Sequence, residues 1–122
     1  MFKVYHTPFL SQPCPGAETS SVAKLSRGGQ IFAGDVIIFS DGGGLSNWKV
    51  GQVVFHAKVF GLKTSLVQLW AVEAQHQHYA TCKLGHATGI IPMENILFAV
   101  PFHQEEDVGT ILLPYQIYSQ HM

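Results

Sequence analysis

From Ile31 to Leu113 the chain is a succession of short β-type segments separated by turn residues. The clearest segment is residues 50–60, in which apolar and polar side chains alternate, as is typical of a half-buried strand. This alternation predicts one apolar face that consists of Val53, Phe55, Ala57 and Val59. The opposite face is predicted to carry Gln52, His56 and Lys58. A chain built from such segments folds into sheets rather than helices.

The other segments favour the same fold class. Val36–Ser40 is apolar on both faces, and Ser65–Glu73 is rich in β-branched and aromatic residues. Further short strands are predicted at residues 79–84, 88–91, 96–100, 109–113 and 115–118, with minor helical turns at 20–25 and 92–95. Because the sequence has little helix and no βαβ alternation, we predict an all-β fold, a small SH3-like barrel of five to seven short strands.

Length and composition set the domain organisation. A chain of 122 residues supports one hydrophobic core. We predict a β-barrel domain at residues 31–122 and an N-terminal arm at residues 1–30, partly irregular because Pro8, Pro13 and Pro15 interrupt any regular pattern. Charged residues make up only 12 % of the chain, against about 25 % in soluble domains. The apolar surface that this implies is expected to be covered by a partner, by a second copy, or by the rest of a longer protein.

The expected location is intracellular, in the nucleus or the cytoplasm. The two cysteines, Cys14 and Cys82, form no disulfide framework and are expected to be reduced thiols. The N-terminus has no apolar signal-peptide core, and no apolar run reaches membrane-spanning length, so no membrane partner is expected.

The order of the segments resembles the bromo-adjacent homology (BAH) family of SH3-like barrels found in chromatin proteins. The segments that carry the resemblance are GDVIIF, VGQVVFHAKV, LVQLWAV and ENILFAVPFHQEEDVGTILLPYQIYS, which together span residues 34–119. Segments like GDVI, VGQVV and LLPYQI are also similar to a C-terminal domain of transposase-like proteins of mushroom-forming fungi. The first resemblance implies a BAH-like barrel with a chromatin-associated binding function, and the second implies a mobile-element origin.

The BAH resemblance suggests one ligand site. It implies that Trp70 occupies the position of the family's characteristic tryptophan, with Trp48 and Tyr79 as further walls of an aromatic cage for a methylated lysine. The alternative is that Trp70 is a core residue and Trp48 covers a loop, since aromatic residues in small β domains usually supply burial.

A nucleic-acid site is an alternative interpretation of the charge pattern. The formal net charge is −1, which argues against a broad basic surface. The centre of the chain is nevertheless mildly basic, and the candidate phosphate-binding residues are Lys49, Lys58, Lys63 and Lys83. The C-terminal third is acidic. Dispersed lysines are also typical of an ordinary solvated surface.

A metal site is the third possibility. His76, His78, Cys82 and His86 provide four possible metal ligands within eleven positions, and residues two apart on a strand project to the same side. The alternative is a set of exposed loop histidines beside a buried cysteine. No cofactor is predicted.

Catalysis is not predicted. The pairs Asp35 with His56 and Cys82 with His86 are the available acid, base or nucleophile combinations, but no catalytic motif surrounds them. Asp35 follows Gly34 and is expected to accept hydrogen bonds from turn amides. We therefore expect a non-catalytic module that binds a protein tail or peptide. The alternatives are a nucleic-acid-binding domain of a mobile-element protein and a homo-oligomeric assembly domain using Phe98, Phe102 and the tail at 112–118.

Overall fold

The computed structural model describes residues 17–25, 28–40 and 44–119. Cys14, most of the predicted N-terminal arm and the glycine loop at residues 41–43 lie outside them. The strands are β1 (Ala17–Ser20), β2 (Val22–Lys24), β3 (Gln30–Phe32), β4 (Val36–Ser40), β5 (Trp48–Val59), β6 (Leu62–Gln75), β7 (Tyr79–Pro92), β8 (Ile96–Val100), β9 (Phe102–Glu105) and β10 (Val108–Leu112). Short 3₁₀ helices span Gly44–Asn47 and Met93–Asn95, and the helical turn α1 spans Tyr115–Tyr118. The all-β prediction is confirmed.

Antiparallel pairing joins eight of these strands into one sheet. Its order is β8-β4-β5-β6-β7-β10-β9, and β1 pairs with the C-terminal half of β5. Strands β2 and β3 form a separate hairpin. The two ends of this order, β8 and β9, are separated in the chain by Pro101 alone. Closure of the sheet into an SH3-like or BAH-like barrel stays a prediction. None of the helices in the described ranges is long and apolar enough to cross a membrane.

The central strands are longer than predicted. The stretch predicted as two strands around Gly85 is the single strand β7, which has 14 residues. The pairing with β6 is irregular between Gln68 and Trp70, where a Cβ on Gly85 would lie 2.9 Å from the Leu69 carbonyl oxygen. Glycine therefore allows β7 to bend at this point without ending.

A β-bulge in β5 corrects the predicted faces of that strand. Val53 pairs with Val67, but Phe55 pairs with Leu66, so Val54 is an extra residue in the ladder. Neighbouring residues of a strand point to opposite faces, so the bulge places Phe55 on the face opposite to Val53. Phe55, Ala57 and Val59 therefore do not share a face with Val53, and the predicted single apolar face is wrong. His56, predicted on the polar face, is buried.

Both faces of the sheet are buried around β4. One face packs in a cluster formed by Val36, Ile38, Val50, Trp70, Ala80, Cys82, Val100, Ile111, Leu113 and Ile117. The other face packs in a cluster formed by Ile31, Ile37, Phe39, Val53, Val67, Ile91, Met93 and Ile96. These two clusters account for the burial of the four apolar residues of β4, as the apolar pattern of Val36–Ser40 predicts.

Two further local predictions are wrong. Residues 17–25, expected to be a loop and a helical turn, contain β1 and β2 because β5 extends far enough to pair with Ala17–Ser20. Residues 115–118, expected to be a strand, form α1. Pro114 precedes α1 in an extended conformation, and the buried side chain of Ile117 holds the turn against the first cluster.

Replacing Gly109 with alanine is expected to lower the free energy of unfolding by about 1–3 kcal/mol, since the new Cβ would overlap Cζ3 of Trp70. Gly89→Ala is the matched control, because its Cβ would lie 3.5 Å from Leu69 Cδ2, an ordinary contact. Urea unfolding of both variants measures the difference. Equal stabilities would contradict the packing of Trp70 on β10.

The turn between β5 and β6 has two residues, Phe60 and Gly61, with positive φ angles of 50° and 83°. Two-residue hairpin turns with positive φ at both positions favour Asn-Gly, and a bulky residue there is strained. Phe60→Asn is therefore expected to raise the free energy of unfolding by about 1 kcal/mol. Thermal denaturation tests this expectation, and a lower melting temperature would show that the Phe60 ring stabilises the fold through its packing.

Candidate functional site

Two adjoining cavities lie beside the turn that joins β5 and β6. Their volumes are about 230 Å³ and about 660 Å³, and both are lined by Lys24, Lys63 and Met93. The larger volume is within the range of small-ligand and peptide side-chain pockets. We call the two cavities together the hairpin cleft.

Several strands form the walls of the hairpin cleft, including β1, which contributes Glu18 and Ser20. The β5–β6 hairpin contributes Lys58, Lys63 and Leu62, and β2 contributes Lys24 from the opposite side. The end of β7 and the 3₁₀ turn that follows Pro92 supply the floor, where Met93 is buried against the second core cluster. The helical turn predicted at residues 92–95 is present at Met93–Asn95, but Pro92 is its extended N-cap and the last residue of β7, not its first helical residue.

The hairpin cleft is mixed in character. Its larger cavity has an apolar wall formed by Leu25, Leu62, Pro92, Met93 and Ile96. Its charged lining residues are Lys24, Lys58, Lys63, Glu18 and Glu94. Three ammonium groups and two carboxylates leave the described lining with an excess of positive charge.

A buried hydrogen-bond network lies at the inner end of the smaller cavity. His56 is 3 % exposed, its Nε2 lies 2.9 Å from the Ile31 carbonyl oxygen and its Nδ1 lies 2.6 Å from Ser65 Oγ. A carbonyl can only accept, so Nε2–H donates to Ile31 and neutral Nδ1 accepts from the Ser65 hydroxyl. The network ties the β2–β3 hairpin to the main sheet. Ser65 is completely buried, so its hydroxyl is not open to a substrate.

Burial lowers the pKa of His56 below its ordinary value, because desolvation disfavours the charged imidazolium. The hydrogen bond to Ile31 and the charge of Asp35 oppose this shift. Lys58 and Lys63 lie on the same face of the hairpin as His56 and Ser65, two residues closer to the turn on each strand. His56 is thus neutral in the folded protein at pH 7.

The predicted aromatic cage is not assembled. Trp70 is 4 % exposed, and its ring packs edge-on to Phe102 with 6.0 Å between the ring centroids. Trp48 is half-buried against the same core cluster, and exposed Tyr79 stacks on His76. A ring buried in the core cannot offer its face to a methylated lysine, so the alternative interpretation, Trp70 as a core residue, describes the structure.

The four candidate phosphate-binding lysines lie in two separate pairs. Lys58 and Lys63 face each other across β5 and β6 at the hairpin cleft. Lys49 lies nine residues before Lys58 on β5, a distance of roughly 30 Å along an extended strand. Lys83 lies at the same end of the sheet as Lys49. Its partner on β6 is Ala71, and the neighbouring Trp70 pairs with Val50, the residue after Lys49. The four do not form one basic patch.

The predicted metal ligands are not brought together. Cys82 points into the first core cluster, whereas His76, His78 and His86 are exposed. Within the described residues, no three His, Cys, Asp or Glu side chains are placed to hold a metal ion. Burial, followed by the charge of Glu73, raises the pKa of the Cys82 thiol to about 11. The thiol is therefore protonated at neutral pH and is a packing group.

The remaining candidates are distributed as follows. Asp35 Oδ2 accepts a hydrogen bond from the Phe32 amide at 2.8 Å, as the turn interpretation predicts. Of the predicted assembly residues, Phe98 packs against the first core cluster, and Leu113 and Ile117 belong to it. Phe102, Leu112 and Tyr115 remain exposed. Assembly through these residues stays a prediction.

The sequence prediction included Lys58 and Lys63 but missed the other residues of the hairpin cleft. A two-residue turn at Phe60-Gly61 would have placed the two lysines opposite each other. Lys24 and Met93, by contrast, come from distant parts of the chain, and no local pattern connects them to the hairpin.

Comparison with known proteins identifies no relative. No protein-family model, curated protein sequence or solved structure matches this chain. The resemblances to BAH domains and to transposase-like proteins therefore stay predictions.

The free energy of unfolding is expected to fall as the pH decreases below 6.5, because unfolded His56 takes up a proton there before folded His56 does. His56→Asn is expected to reduce this pH dependence, while His103→Asn, at an exposed position, is expected to retain it. Urea unfolding at about pH 7.5 and about pH 5.5 measures the slope. An unchanged slope in His56→Asn would show that other groups govern it.

Proposed function

We propose that this protein is a non-catalytic binding module that recognises a peptide or protein tail in the hairpin cleft. The observation that carries the proposal is the cleft itself, an apolar-walled depression of about 660 Å³ that adjoins a smaller cavity lined by charged side chains. Peptide-binding sites combine an apolar anchor pocket with polar groups that set orientation.

The exposed apolar residues at the hairpin tip support this proposal, and Leu62 among them lines the larger cavity. Leu62 is 70 % exposed and Phe60 is 75 % exposed, and they flank Gly61 at the tip of the hairpin. Large apolar side chains at a rim gain stability when a partner removes them from water, by about 25 cal/mol per Å². The backbone of Phe60 is also strained, and strain in a folded chain is often retained where a side chain has a binding role.

Polar groups buried near the cleft do not favour catalysis. The Ser65–His56 pair has the geometry of a nucleophile and base, but both residues are buried and His56 is held by the Ile31 carbonyl. Structural roles account for both hydrogen bonds of the imidazole, since Ile31 holds β3 against β5 and Ser65 lies on the neighbouring strand β6.

The test begins with peptides selected from a random library displayed on phage, which are then synthesised and titrated by calorimetry. Leu62→Ser is expected to weaken binding about tenfold, because the loss of a buried leucine contact costs about 1.5 kcal/mol. Leu112→Ser is the matched control, since Leu112 is 54 % exposed on β10 and lies away from the cleft.

NMR chemical-shift changes locate the bound peptide. Changes confined to Leu62, Lys63 and Met93 would support the hairpin cleft. If Leu112→Ser weakened binding as much as Leu62→Ser, or if the shift changes centred on β10, the site would be elsewhere. If no selected peptide bound, the proposal would be wrong.

A further inference from the structure

The Lys58–Lys63 pair is an unusual feature of the β5–β6 hairpin. The two lysines are direct cross-strand partners, and both side chains are exposed. Like charges placed opposite each other on neighbouring strands destabilise a sheet. A bound anionic group between the two ammonium groups would remove this repulsion.

The β-bulge directs both lysines to the cleft. Beyond Val54, the face that carries His56 also carries Lys58, and on β6 the face of Ser65 carries Lys63. Both lysines line the smaller cavity, and Lys24 approaches it from β2. Three ammonium groups from three strands thus surround one concave site.

Two carboxylates lie near these lysines in the described part of the chain. Glu18 is the cross-strand neighbour of Lys58 on β1, and Glu94 lines the larger cavity. Even so, across residues 17–25, 28–40 and 44–119, no ion pair links Lys24, Lys58 or Lys63 to a carboxylate. The site therefore attracts anions, and a basic tail would meet charges of its own sign.

The apolar wall identifies the anion as part of a larger segment. Leu62 and Lys63 are adjacent in the chain and both line the larger cavity, together with Pro92 and Met93. An extended peptide fits this arrangement if an acidic residue lies close to a large apolar residue. The acidic residue then meets the lysines, and the apolar residue meets the apolar wall.

We propose that the hairpin cleft binds an acidic peptide segment of a partner protein. A carboxylate of the segment lies between Lys58 and Lys63 with Lys24 opposite, and a neighbouring apolar side chain packs on Leu62 and Met93. This inference rests on the proposed function and adds the chemistry of the partner.

The experiment uses three synthetic peptides of equal length and identical apolar residues, labelled with fluorescein. Their polar positions are all Glu, all Gln or all Lys. Fluorescence anisotropy is expected to show that the Glu peptide binds about tenfold more tightly than the Gln peptide, as expected for two to three exposed ion pairs. The Lys peptide is expected to bind more weakly still. Added salt should reduce the preference for the Glu peptide by screening.

The double variant Lys58→Gln/Lys63→Gln is expected to bind the Glu and Gln peptides with affinities within about twofold of each other. Its matched control is Lys49→Gln/Lys83→Gln, which removes the same charge at the other end of the sheet and is expected to keep the tenfold preference. The inference is overturned if the control loses the preference equally.

Other outcomes separate the inference from the proposed function. Equal binding of the three peptides, abolished by Leu62→Ser, would overturn the acidic partner and leave the peptide-binding module intact. If none of the three peptides bound while library-selected peptides still bound at the cleft, the acidic partner would again be overturned and the peptide-binding module would stand. Binding to phosphatidylserine vesicles without binding of the Glu peptide would overturn the inference in favour of a membrane surface.

Discussion

The extra residue in β5 is the feature on which the rest of the site depends. Without the bulge at Val54, the alternation that begins at Val53 would direct His56 and Lys58 away from the second core cluster. With it, His56 reaches the Ile31 carbonyl and the lysine pair faces the cleft. One irregular ladder position therefore places Phe55 and Ala57 in a separate cluster with Leu66, on the face opposite to Val53.

The hairpin cleft is held open by buried groups at its base. His56 fastens β3 to β5 through one ring nitrogen and contacts Ser65 through the other, so the β2–β3 hairpin keeps a fixed distance from the main sheet. Met93 belongs to the second core cluster and forms the floor. The lysines and Leu62 remain at the rim, where solvent and a partner reach them. Rigid support beneath an exposed rim reduces the entropy lost on binding.

The predictable part of the molecule was the part governed by local pattern. Val36–Ser40 and Ile96–Val100 were predicted as strands because their apolar runs are short and bounded by turn residues, and both predictions are confirmed. The strand predicted at residues 115–118 is wrong, because Pro114 and the burial of Ile117 outweigh the β-type composition of this segment. Trp70 was assigned to a ligand site by resemblance, whereas its contacts with Gly109 and Phe102 make it a core residue.

The sequence by itself determined the fold class, since alternating and β-branched segments separated by glycine and proline admit few structures other than antiparallel sheets. The pairing of Lys58 with Lys63 depends on the two-residue turn at Phe60-Gly61, and the bulky Phe60 gives no sequence signal for such a turn. Only the tertiary structure decided which face those lysines occupy and which distant residues they meet. A bulge shifts the side-chain period by one, and Lys24 and Met93 approach the hairpin through long-range packing that no local pattern encodes.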